Sequence, residues 1–227
     1  MLRKDIYSKF VNIYSNQDLL KAYQEFTWQR KGVKESIKIR NDLAREFQNW
    51  AKNGFEYSIA ENQIQKVHDW GFGRPLSAKL LNSENLKTII KMLKTWYFSS
   101  ADVELRATLI QSLLIKGIKI ARQSKWICFL DQSKFGIYDS RVSLALRKVE
   151  IDGKRIFPTV GRRTTKNKKY PQSTYLGNTT VKQAERMSKC YINYIKLLED
   201  IVQNSNFKKA ADIEMALFML GNNKKNW

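Results

Sequence analysis

Glycine and proline are scarce in this chain, at 10 and 3 in 227 residues. These two residues are the strongest local breakers of regular structure. Long stretches therefore run uninterrupted, and their apolar residues recur at three- and four-residue intervals rather than alternating. The pattern predicts an all-α protein. Helices are expected over 4–14, 17–28, 34–52, 59–68, 84–98, 102–121, 124–131, 139–149 and about 180–203, with a last helix over DIEMALFML. Asn16 or Gln17 is the expected opener of the second helix, and Ser83 the expected N-cap of the fifth. Ser99, Ser100 and Asp102 are expected to open the sixth. Asn53-Gly54 reads as a C-terminal stop, Thr179 or Thr180 as a helix start, and Gly221 as the final stop. The segment DWGFGRP, with Gly71, Gly73 and Pro75, reads as the clearest mid-chain break. Residues 150–177 hold Gly153, Pro158, Gly161, Pro171 and Gly177 and little helical pattern, which predicts a basic irregular loop. The expected organisation is one bilobed helical bundle over 1–227, with lobes 1–75 plus 178–227 and 76–177.

Charge narrows the function classes. Lys and Arg total 41 against 21 Asp and Glu, a formal net charge of +20. Solubility needs a magnitude of only roughly 2–8, so a surplus this large points to a polyanionic partner, nucleic acid first. Cys128 and Cys190 are too few for a disulfide framework, a four-ligand zinc site or an iron–sulfur cluster. His68 is the only histidine. No apolar run approaches the ~20 residues of a bilayer span, and MLRKDIYSKF lacks a leader's apolar core. The expectation is a cytoplasmic protein with both cysteines reduced, nucleoid-associated if bacterial, monomeric, and without metal, cofactor or membrane contact.

The segment LIKGIKIARQSKWICFLDQSKFGIYDSRVSLALRKV, residues 114–149, carries the most chemical information. One buried helix ends near Gly117, and a second bears Trp126, Ile127, Phe129 and Leu130. A turn then leads to Tyr138-Asp139-Ser140-Arg141, where another helix opens. Asp139 is its expected N-cap, held by backbone amides. On spacing alone that is a structural role.

This layout resembles the helix-hairpin-helix DNA glycosylases. In that family a helical hairpin precedes a catalytic Asp at a helix start, about as far beyond the hairpin glycine as Asp139 lies beyond Gly117, 22 residues. Ile137-Tyr138-Asp139-Ser140-Arg141-Val142 stands where the family has Val-Asp-x-x-Val. DIEMALFMLG also resembles the closing helix of bacterial relatives. The hairpin reads Ile115-Lys116-Gly117-Ile118-Lys119, with one glycine and no proline, where the family's usually reads Leu-Pro-Gly-x-Gly. The lysine of bifunctional members would fall near Ile120, which neither Lys119 nor Lys125 matches, so the resemblance implies a monofunctional enzyme. It implies hydrolysis of an N-glycosidic bond in duplex DNA after the base is flipped out. Asp139 would be the catalytic carboxylate, serving DNA repair or defence against phage DNA with modified bases. Gly117, Lys119, Lys125 and Arg141 become candidate DNA contacts.

Other candidates come from the residues themselves. Arg162, Arg163, Lys166, Lys168 and Lys169, with Lys182, lie between Gly161 and Lys182 without an acidic residue, and Tyr170 and Tyr175 interleave. Six phosphate contacts there predict a log–log salt slope of roughly −5. Tyr138, Trp70, Phe72 and His68 are candidates for the base pocket, because every base offers a π-face for stacking. The plainer reading of each is packing, and Asp131 reads as a cap or turn residue. Trp28, Trp50, Trp96, Trp126, Met215, Phe218 and Met219 read as core. The rival reading of the whole chain is a non-catalytic DNA- or RNA-binding protein on the same scaffold. A third is a partner for an acidic protein.

Overall fold

The computed structural model describes residues 2–28, 31–98, 103–160 and 179–222. Among them are ten helices and one short hairpin. The helices are α1 (Leu2–Val11), α2 (Asn16–Gln24), α3 (Val33–Lys52), α4 (Tyr57–Phe72), α5 (Ser83–Phe98), α6 (Val103–Ile115), α7 (Ile120–Leu130), α8 (Ser140–Leu146), α9 (Val181–Gln203) and α10 (Ala210–Asn222). The hairpin pairs β1 (Glu150–Ile151) with β2 (Lys154–Arg155) in antiparallel register. No helix among the described residues is long and apolar enough to cross a membrane.

The helix ends follow local chemistry. Thr180 opens α9 with a capping box to Gln183. Asn53 and Gly54 close α3, with Gly54 N donating to Ala51 O and Phe55 N to Trp50 O. Two openers lie one residue earlier than expected. Ser15 caps α2 through a capping box with Asp18, and Asn82 Oδ1 accepts from Asn85 N at 2.8 Å to cap α5. In both cases the side chain three residues before a free amide makes the cap, whichever Ser or Asn follows it.

Two glycines depart from their expected meaning. The helix α4 runs through Trp70 and Gly71 to Phe72, and the chain turns only at Gly73, where φ is +63°. At Gly71 a Cβ would lie 2.2 Å from Lys125 Cε, so this glycine admits a neighbouring side chain rather than making a turn. Gly221 does not end α10, which continues to Asn222. Its missing Cβ lets α10 meet the backbone of α8, where a Cβ would lie 1.8 Å from Arg141 O. The span 102–121 is two helices rather than one, and the first ends near Gly117 as the hairpin reading expects, with φ +87° there. The expected irregular segment begins with the β1–β2 hairpin, turned by Asp152 and Gly153 at positive φ.

The apolar faces join in one cluster that runs from Ile6 and Phe10 of α1 to Phe218 of α10. The helix α10 packs on α2, α8 and α9, and α9 packs on α1 and α6, so the last helices do return to the first. The helix α7 lies inside this arrangement, against α3, α4, α5, α6 and α9. Every residue from Gln123 to Leu130 is buried. Trp50, Trp96 and Trp126 are core residues, as are Met215 and Phe218, while Trp28 and Met219 pack at its margin. Ser99, Ser100, Asp102, Tyr170, Tyr175 and Trp227 lie outside the described residues.

Candidate active site

The site is built on the α6–α7 hairpin. At the end of α6, Gly117 N donates to Leu114 O at 3.1 Å and Ile118 N to Leu113 O at 2.9 Å. These are the two bonds that satisfy a helix's last carbonyls when a left-handed residue follows it. The amides of Gly117 and Ile118 are thus used in ending α6. Gln123 fixes the turn from within, its Nε2 donating to Ile118 O at 2.6 Å and to Ile110 O at 3.2 Å. Lys119 takes the cap position of α7, and its Nζ donates to Thr179 Oγ1 at 2.7 Å.

After α7 the chain turns at Asp131, which accepts from Ser133 N at 3.0 Å and pairs with Lys134 at 2.9 Å. This is the turn role expected of it. The following segment is held from several sides. Tyr191 Oη donates to Gly136 O at 3.1 Å and Tyr194 Oη to Ile137 O at 3.1 Å. Tyr138 N donates to Ser124 Oγ of α7 at 3.0 Å. Asp139 follows in extended conformation and caps α8, with Oδ1 accepting from Arg141 N at 2.9 Å and Val142 N at 3.1 Å. Its Oδ2 accepts no hydrogen bond among the described residues. Asp139 is half-buried. One oxygen is therefore locked by backbone while the other stays available to a ligand or a proton.

Behind Asp139 lies a buried group of charges. Arg40 of α3 and Glu214 of α10 form an ion pair with side chains 2% and 3% exposed, and Arg40 Nη2 also donates to Cys128 Sγ at 3.1 Å. Burial raises the Glu214 carboxyl against the pull of Arg40, and Asp139 raises it further. Lys125 of α7 is 3% exposed. Its Nζ donates to Ala121 O at 3.3 Å and sits 4.6 Å from the centroid of Phe72. Burial pulls its ammonium down, and Asp139 is the strongest charge opposing that pull. The field of Asp139 thus reaches a lysine that forms no ion pair among the described residues.

On the outer side of Lys125, α4 and α7 share a polar seam. His68 stacks on Phe72 with ring centroids 4.5 Å apart. His68 Nδ1 bonds Arg74 O at 2.9 Å, and Arg122 Nε donates to His68 Nε2 at 3.2 Å. The imidazole therefore carries its proton on Nδ1 and is neutral. Burial and Arg122 push it down to about 4. Arg122 also lies 5.5 Å from the Phe72 centroid.

The structure brings Asp139, Lys125, Phe72, His68 and Lys119 into one continuous region. Others fall elsewhere. Tyr138 is fully buried and its hydroxyl donates to Pro158 O at 2.8 Å, which takes it out of any surface pocket. Trp70 belongs to an aromatic group with Trp28 and Phe129. Arg141 lies 4.6 Å over Phe218. Lys125 is too buried to meet a phosphate in solvent. Arg162, Arg163, Lys166, Lys168 and Lys169 lie outside the described residues. The residues on either side of that segment are held at this region, however. Val160 N donates to Ser143 Oγ of α8 at 3.0 Å, and Thr179 receives Lys119.

Sequence reasoning missed Arg40, Glu214, Arg74 and Arg122. Glu214 carried a signal, because it is a charge inside the apolar run of α10. Lys119 and Arg122 lie one helical turn apart and so share a face, but no pattern says which helix that face meets. Comparison of the chain with protein families, characterised proteins and solved structures finds no match.

Proposed function

We propose that this protein is a DNA glycosylase, which hydrolyses the N-glycosidic bond of a modified or damaged base. The reading rests on the resemblance of residues 114–149 to the helix-hairpin-helix glycosylases. One observation carries it: Asp139 sits at the helix start with Oδ1 fixed by the amides of Arg141 and Val142 and Oδ2 unengaged among the described residues. A carboxylate so held cannot rotate away as charge develops beside it.

In this mechanism the target base leaves the stack and the C1′–N bond lengthens, its electron pair departing with the base. The sugar gains oxocarbenium character, which the Asp139 carboxylate stabilises. Water then adds to C1′, and Asp139 accepts its proton. Lys125 lies buried behind Asp139, whose carboxylate opposes the burial that pulls the lysine ammonium down. No cofactor or metal takes part. Lys119 and the basic segment from Arg162 to Lys169 neutralise phosphates of the duplex. The biological setting is repair of damaged DNA or excision of modified bases from phage DNA.

The test is a count of abasic sites in damaged duplexes and modified phage genomes, comparing wild type with Asp139→Asn. Asn caps a helix about as well as Asp, so the variant folds and binds DNA. Its turnover is expected to fall by at least about a hundredfold, the scale of losing one transition-state electrostatic contact. Equal DNA binding by both proteins, with no abasic sites from any substrate, would favour the non-catalytic DNA- or RNA-binding reading.

A further inference from the structure

The seam between α4 and α7 gathers more positive charge than the fold explains. Arg74 follows the turn that ends α4, and Arg122 is on the first turn of α7. Lys119 stands one turn before Arg122. None of the ion pairs among the described residues involves Arg74 or Arg122. The groups repel one another. Burial and then Arg74 pull the Arg122 guanidinium down, and burial and then Arg122 pull the Lys119 ammonium down. A protein gains nothing in stability by placing two arginines side by side without an ion pair for either.

The arrangement is nonetheless built. The neutral His68 ring uses one nitrogen to hold the Arg74 carbonyl and the other to accept from Arg122 Nε. That bond occupies the inner edge of the guanidinium. The terminal Nη donors of Arg122 make no hydrogen bond among the described residues. Phe72 supports the assembly, stacked on His68 and within 5.5 Å of Arg122 Cζ. A planar fork with two parallel donors matches the paired oxygens of a phosphate. Thr179, bonded to Lys119, is the first described residue after the most basic stretch of the sequence.

We infer that Arg74 and Arg122, positioned by His68, clamp a backbone phosphate of bound DNA at the mouth of the site. The inference rests on the reading of the chain as a DNA-binding enzyme. It gives His68 and Phe72 a role different from base stacking: His68 is a positioning residue and Phe72 its support. It also supplies by side chains the phosphate grip that the Gly117 and Ile118 amides, used in ending α6, do not offer.

Binding of an undamaged duplex oligonucleotide, followed by fluorescence anisotropy over a salt series, tests this without requiring turnover. Arg74→Gln and Arg122→Gln should each weaken binding equally on every sequence and flatten the log–log salt slope by about 1. Arg74 is exposed and lends only its carbonyl to His68, so its replacement leaves the fold intact. His68→Phe keeps the stacking ring and removes the acceptor. It should weaken binding in the wild-type background and change nothing further when Arg74 and Arg122 are both already Gln. A merely structural role would add in both backgrounds. Unchanged slopes in both arginine variants would overturn the inference. So would inorganic phosphate binding that the arginine variants abolish while duplex affinity stays at wild-type level. Abasic sites formed by wild type with unchanged slopes would sink the clamp and spare the glycosylase. Shifted slopes without abasic sites would do the reverse.

Discussion

His68 stays neutral because its ring is buried and Arg122 stands beside it, so its proton affinity in the fold is below that in the open chain. The imidazole is held at about 4 against an ordinary 6.5. Between those values the unfolded chain binds a proton that the native state refuses. Stability is therefore whole above pH 6.5 and declines as the pH falls toward 4, below which this group costs nothing more. Urea midpoints measured from pH 7 to 4 should fall faster for wild type than for His68→Phe, and parallel curves would show that His68 titrates normally. Asp139 serves the chemistry and the fold in different ways. Its use in catalysis demands the ionised form, while its cap needs only an acceptor. The Asp139→Asn variant separates the two, with turnover lost and the thermal midpoint nearly unchanged.

At the level of elements, two contacts set where α8 presents Asp139. The first is the approach of α10, possible only because Gly221 has no side chain. A Cβ there would lie 1.8 Å from Arg141 O, a backbone atom that cannot rotate aside. Gly221→Ala should cost about 1–3 kcal/mol, the usual penalty of overpacking, read as a lower urea midpoint. It should also slow abasic-site formation, because α8 must back away and takes Asp139 with it. The second contact is the buried pair of Arg40 on α3 and Glu214 on α10. Arg40→Met leaves a carboxylate buried without its partner, which should destabilise by about 3–5 kcal/mol. The double change Arg40→Met with Glu214→Leu should recover most of that loss in urea denaturation. Failure to recover would mean that the charges themselves are needed, for instance by Lys125 and Cys128 around them.

Across the whole molecule, +20 is a cost to folding and an asset to binding. Like charges over the surface raise the free energy of the compact state, and salt screens them, the Debye length being about 10 Å at 0.1 M. Raising salt should therefore raise the thermal midpoint of the free protein while it weakens the complex with DNA. Six phosphate contacts from the basic segment correspond to a slope of roughly −5. A thermal midpoint that falls with salt would indicate that ion pairs such as Arg3 with Glu199 and Asp200 outweigh the general repulsion.

What the sequence determined by itself is whatever one turn of chain can specify. The all-α class followed from the spacing of apolar residues and the scarcity of Gly and Pro. The cap at Asp139, the turn at Asp131, the stop at Asn53-Gly54 and the start at Thr180 depend on hydrogen bonds between residues a few positions apart. Local propensity failed where a residue answers to a distant segment. Gly71 and Gly221 look like breaks in a sequence, yet each lies inside a helix and makes room for another. Tyr138 beside Asp139 looks like a pocket wall, but docking of α9 encloses it. Arg40 and Glu214 are 174 residues apart, and His68 and Arg122 are 54 apart. Only the tertiary structure decided those pairings, because a buried charge or a shared phosphate site exists only once separate helices have docked and excluded water between them.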